Sequence, residues 1–130
     1  MPRRPAPVAA LVLAAVAVLA ACSNTALGFD VAPASLDPNS PTITADGVAF
    51  DRAELEVPAG RPFVLVFENR EGIGHNVSIY RDPTHRDRLF EGVVFSGPAT
   101  RWYPVPALAP GAYVFLCDVH PNMTGTLVAS

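Results

Sequence analysis

With 130 residues, 9 basic against 12 acidic side chains and a formal charge of −3, the chain lacks the basic face that a nucleic-acid partner requires. Every basic residue is an arginine, and the length suits one domain around one core.

At the N-terminus Arg3 and Arg4 precede Val8–Ala21, an unbroken apolar run of 14 residues. A membrane-spanning helix needs about 18 or more, so residues 1–21 read as a signal peptide. The run ends in Leu19-Ala20-Ala21-Cys22, which looks like a bacterial lipobox. In lipoproteins of that kind the cysteine carries the lipid and becomes the first residue after cleavage. The expectation is an exported protein, lipid-anchored through Cys22 to a membrane of the cell envelope on its periplasmic or extracytoplasmic face. An ordinary secretory signal with an incidental Cys22 is the alternative, and the export route, Sec or twin-arginine, stays open. Without Arg3 and Arg4 there are 7 basic and 12 acidic residues, a charge of −5, which steers the protein toward a basic patch on a partner.

Residues 22–40, rich in Ser, Asn, Ala and Pro without apolar periodicity, read as a flexible tether. The domain then spans 41–130. Thr42-Ile43-Thr44-Ala45 is a first β-type run, ended by Asp46-Gly47. Val48 to Val57 follows, and Pro58-Ala59-Gly60 turns the chain. Phe63-Val64-Leu65-Val66-Phe67 is apolar throughout and is expected to be buried on both sides. Val77–Tyr80, Val93–Phe95 and Arg101–Tyr103 come next, with one helical turn expected over His85–Phe90. Pro110-Gly111 then leads into Tyr113–Cys117, and Thr124–Ala129 closes the chain. The pattern predicts an all-β, antiparallel Greek-key sandwich.

The chemistry concentrates in Cys117-Asp118-Val119-His120-Pro121-Asn122-Met123. A thiolate, an imidazole and a thioether recur every third residue on one loop. Copper cycling between Cu(I) and Cu(II) tolerates these ligand types, and a thiolate with two imidazoles and a weak axial Met is the electron-transfer pattern. The second imidazole must come from upstream, where Gly74-His75-Asn76-Val77 offers it. With Cys22 acylated, Cys117 would be an unpaired thiol in an oxidising compartment, a liability that a metal removes.

The Cys-x2-His-x2-Met loop before a terminal strand, with the upstream His-Asn, resembles the cupredoxins over about Pro41–Ser130. In loop length it is most similar to amicyanin; plastocyanin and pseudoazurin space the Met further away. Asp118 and Val119 stand where amicyanin has a small hydroxyl residue and a proline. The resemblance implies one type 1 copper held by His75, Cys117, His120 and Met123. It also implies that Asn76 ties its loop to the Cys loop at Asp118 or its backbone, and that His120 is the electron port. An apolar patch of Ile73, Pro121, Met123 and Pro83 around His120 would dock redox partners transiently, and the protein would act as a monomer.

Catalytic readings fail on counting. Only three His are present, so a second centre of three imidazoles cannot be built. A binuclear purple centre needs a second loop Cys, and a Cys–His hydrolase leaves His75 and Met123 without a role. Electron transfer without catalysis is therefore the leading expectation. A copper chaperone or buffer of the cell envelope, or a metal-free adhesive sandwich, are the alternatives.

Overall fold

The computed structural model describes residues 26–130. The signal peptide and Cys22 lie outside the described residues. Eleven strands follow in chain order: β1 (Thr42–Asp46), β2 (Ala49–Phe50), β3 (Glu54–Val57), β4 (Phe63–Asn69), β5 (Gly74–His75), β6 (Ser78–Tyr80), β7 (Arg88–Glu91), β8 (Phe95–Ser96), β9 (Ala99–Val105), β10 (Gly111–Leu116) and β11 (Thr124–Ala129). They form a four-stranded sheet, β2-β1-β4-β9, a five-stranded sheet, β3-β11-β10-β6-β7, and a small ladder, β5-β8. No helix occurs among the described residues. The all-β sandwich is thus as the sequence pattern predicts, although β1–β4 and β3–β11 pair in parallel and the rest antiparallel.

Alternation puts one side of each strand into the core. Ile43, Leu65, Phe67 and Tyr103 from the first sheet meet Ile79, Phe115 and Leu127 from the second, all fully buried. Each such side chain stabilises the fold by about 1.5–3 kcal/mol relative to exposure. Phe67 lies centrally, its ring 5.5 Å from that of Phe95 and 5.8 Å from that of Tyr103.

Several sequence expectations are corrected. Phe63–Phe67 is not buried on both sides: Phe63, Leu65 and Phe67 face the core, while Val64 and Val66 are only half-buried on the outer face. The run from Val48 to Val57 is divided, β2 pairing in the first sheet and β3 in the second. Arg88–Phe90, expected as part of a helical turn, belong to β7, which pairs with β6 instead, where its backbone groups gain ladder partners.

Leu27–Phe29, within the expected tether, also lie against the domain. Leu27 donates its N–H to Glu91 O (2.8 Å) and accepts from Val93 N (2.9 Å), and Phe29 exchanges two hydrogen bonds with Trp102 (3.0 and 3.1 Å). Gly28 makes this approach possible. A Cβ there would sit 2.6 Å from Val93 Cγ1 and 2.9 Å from Tyr103 Cε1, closer than any side chain tolerates. Composition alone suggested flexibility, but the glycine lets this segment bridge to Gly92 just after β7 and to Trp102 on β9.

Candidate metal centre

One end of the sandwich is built by the β1–β2 turn, the Asn69–His75 loop and the Cys117–Met123 loop. Residues Gly47 and Val48 form a two-residue hairpin turn, both with positive φ (62° and 54°), as the twist of the flanking strands favours. Positive φ is rare for a β-branched residue. It directs the Val48 N–H onto Glu71 Oε2 at 2.9 Å.

Fully buried Asn69 organises the next loop. Its Nδ2 donates to Ile73 O (2.9 Å) and Phe95 O (2.8 Å), and its Oδ1 accepts from Glu71 N (2.9 Å). Glu71 is thereby aimed at His75, whose Nε2 lies 2.8 Å from Glu71 Oε2. A carboxylate at that nitrogen places the proton on Nε2 and leaves the Nδ1 lone pair free. The Val48 N–H holds the Glu71 carboxyl below its ordinary pKa, against the opposing effect of desolvation and with help from His75. The carboxylate therefore accepts at neutral pH.

The second loop is closed by its own backbone. Cys117 N–H donates to Met123 O (3.0 Å) and Met123 N–H to His120 O (2.8 Å). Cys117 is fully buried and carries a free thiol, His120 is partly exposed, and Met123 is 2 % exposed within the core. Burial of Met123 removes it from the surface patch expected around His120, to which Ile73 and Pro121 remain available. His85 lies elsewhere, its ring beside that of Tyr80.

Three donor atoms converge. His75 Nδ1 is 3.7 Å from Cys117 Sγ, which is 3.9 Å from His120 Nδ1, and the two Nδ1 atoms are 3.2 Å apart. A point equidistant from atoms so separated lies about 2.1 Å from each, inside the range of about 2.0–2.3 Å for metal bonds to imidazole and thiolate. Two nitrogens and a thiol sulfur in this triangle fit a soft or borderline metal ion. Met123 adds a buried thioether carried on the same closed loop.

Asn76 and Asp118 meet beside this cluster. Asp118 N donates to Asn76 Oδ1 (2.9 Å), Asn76 Nδ2 donates to Asp118 Oδ2 (2.7 Å) and to Gly92 O (2.8 Å), and Tyr80 Oη donates to Asp118 Oδ1 (2.6 Å). Ser78 Oγ also donates to Asp118 Oδ2. Burial alone would raise the Asp118 pKa. The Ser78, Tyr80 and Asn76 donors together outweigh it and hold the carboxyl below its ordinary value.

Sequence reasoning missed Asn69, Glu71, Ser78 and Tyr80. A signal existed for the last two: in a strand, Asn76, Ser78 and Tyr80 share one face at period two. Glu71 had none, since its position depends on a loop fixed by Asn69.

A family model described as a cupredoxin-like domain matches residues 10–129. No curated protein matches. Among solved structures, amicyanin from Paracoccus versutus is similar at 20% identity over 75% of this chain and 87% of that one, TM-score 0.56. Reduced auracyanin from Roseiflexus castenholzii is similar at 21% identity over 68% and 94%, TM-score 0.59. Auracyanin A from Chloroflexus aurantiacus, a "blue" copper protein, is similar at 23% identity over 68% and 96%, TM-score 0.58. At these identities the structures speak for the fold, and the family model, spanning nearly the whole sequence, settles the kinship: the chain is a cupredoxin.

Proposed function

We propose that this cupredoxin carries single electrons between redox proteins. It would be exported, held to a membrane by lipid on Cys22, and not an enzyme. One copper would be held by His75, Cys117, His120 and Met123. The observation that carries this reading is the convergence of the His75, Cys117 and His120 donor atoms on one point at metal-bond distance. Copper bound there supplies a one-electron Cu(I)/Cu(II) couple.

The remaining work belongs to the protein. Glu71 fixes the tautomer and direction of the His75 ring. Burial of His75 and Cys117 keeps water from both, and the backbone bonds of the Cys117–Met123 loop limit how far the donors can shift. A site that moves little on gaining or losing an electron suits transfer rather than catalysis. Partly exposed His120 is the route by which a partner reaches the site. A copper-delivery role fits less well, because His75 and Cys117 are fully buried and tied to both loops.

Cu(II) loading should give an intense visible band that Cys117→Ser abolishes, read by absorption spectroscopy. A band retained by Cys117→Ser would overturn the assignment. Glu71→Gln should keep the band but lower metal affinity by about 10–100-fold, the usual cost of losing a carboxylate behind a ligating histidine, measured by competition with a chelator.

A further inference from the structure

The outer face of the four-stranded sheet is unusual. An exposed sheet face ordinarily carries polar side chains. Here Val66 pairs with Trp102, Val64 with Pro104, and Trp102 with Phe29, so these side chains share the outer face. Gly28 points inward at Tyr103, which turns its neighbours Leu27 and Phe29 outward, 43 % and 52 % exposed. The result is a continuous apolar surface of Leu27, Phe29, Val64, Val66, Trp102 and Pro104. Polarity returns toward the metal end of the same face, where Glu68 lies one step beyond Val66 and pairs with Arg70 at 2.9 Å.

We propose that this face rests on the surface of a lipid bilayer. The occupant follows from where the chain goes. Leu27 is hydrogen-bonded to the domain, and only four residues separate it from Cys22. At about 3.4 Å per residue a lipidated Cys22 lies within about 17 Å of Leu27, so the anchor holds the edge of this face close to the membrane. Aliphatic groups flanked by Phe and Trp suit the interfacial zone, where aromatic rings concentrate. No acidic or basic side chain belongs to the patch, so contact does not need anionic lipid. The metal end, with Glu68 and Arg70 between it and the patch, stays in water and open to partners.

This inference rests on the lipid-anchor reading only for how the face is delivered, and the experiment separates the two. The chain has a single Trp, and it lies in the patch. The mature protein is reconstituted into phosphatidylcholine vesicles with brominated acyl chains, and Trp102 emission is recorded in one fixed metal state. Emission should move to shorter wavelength and be quenched by the bromines. Phe29→Glu, and independently Leu27→Glu, should remain vesicle-bound through the lipid yet lose the quenching, with unchanged circular dichroism. Water-like, unquenched emission from vesicle-bound protein overturns the proposal. So does quenching that both variants retain, or shielding of Trp102 by a concentration-dependent dimer without lipid. If mass analysis finds Cys22 unmodified, the anchor reading falls. Quenching on added vesicles would then still sustain the membrane-facing surface, and its absence would end it.

Discussion

The two sheets carry opposite characters on their outer faces. Outward positions of the five-stranded sheet carry Glu54 opposite Thr126 and Glu56 opposite Val128. Toward β6 they carry Ser78 and Tyr80 beneath Asp118. Outward positions of the four-stranded sheet carry Val64, Val66, Trp102 and Pro104. Both sheets bury equally apolar inner faces, so the difference is not about forming the core. The polar face is built by hydrogen bonds that converge on a residue adjoining Cys117, and each lost donor or acceptor there leaves a buried group unsatisfied. The apolar face is built from aliphatic and aromatic side chains, so a substitution there leaves no buried hydrogen-bonding group without its partner.

Substitution should expose this asymmetry. The largest effect is expected from Asp118→Ala, which leaves the Asn76, Ser78 and Tyr80 donors short of their shared acceptor; stability should fall by about 2–3 kcal/mol, read from urea unfolding. The same carboxylate sets an acid dependence. Its pKa in the folded state lies below the ordinary 3.8, so its contribution is fully present above that value and is lost as pH falls through the lower folded value. Wild type should therefore lose stability below about pH 4, and Asp118→Ala should lack that component. Tyr80→Phe removes one donor and leaves the carboxylate its other partners, a loss of about 1 kcal/mol in the same assay. Phe29→Thr on the opposite face should change stability by less than about 0.5 kcal/mol; a loss as large as that of Asp118→Ala would erase the contrast between the faces.

Legibility in the sequence followed the range of the interactions. The alternation of Val77–Tyr80, the apolar run of Tyr113–Cys117 and the three-residue spacing of Cys117, His120 and Met123 are local, and the strands and the loop donors could be read from them. His75 needed one long-range step; the structure brings it to Cys117 and leaves His85 aside. The missed features depend on partners distant in sequence. Glu71 gains its place from Asn69, itself held by Phe95 O, and from Val48 N–H, the last two more than twenty residues from their partners. Val64 and Val66 looked like doubly buried positions because an apolar residue facing lipid or solvent is written with the same letters as one facing a core. The segment at Leu27–Phe29 looked like a linker because Gly28, a residue common in linkers, is here the one side chain thin enough to lie against Tyr103.

The backbone closure of the Cys117–Met123 loop has a kinetic meaning. Cys117, His120 and Met123 are joined by two main-chain hydrogen bonds, so the loop opens as a unit or not at all, and an opening that frees one of these side chains frees all three. Exchange of the Met123 amide with deuterated water reports that single event. Its protection factor should follow the residence time of the bound ion, so that holding the metal and holding the last strand in the sheet become one clock.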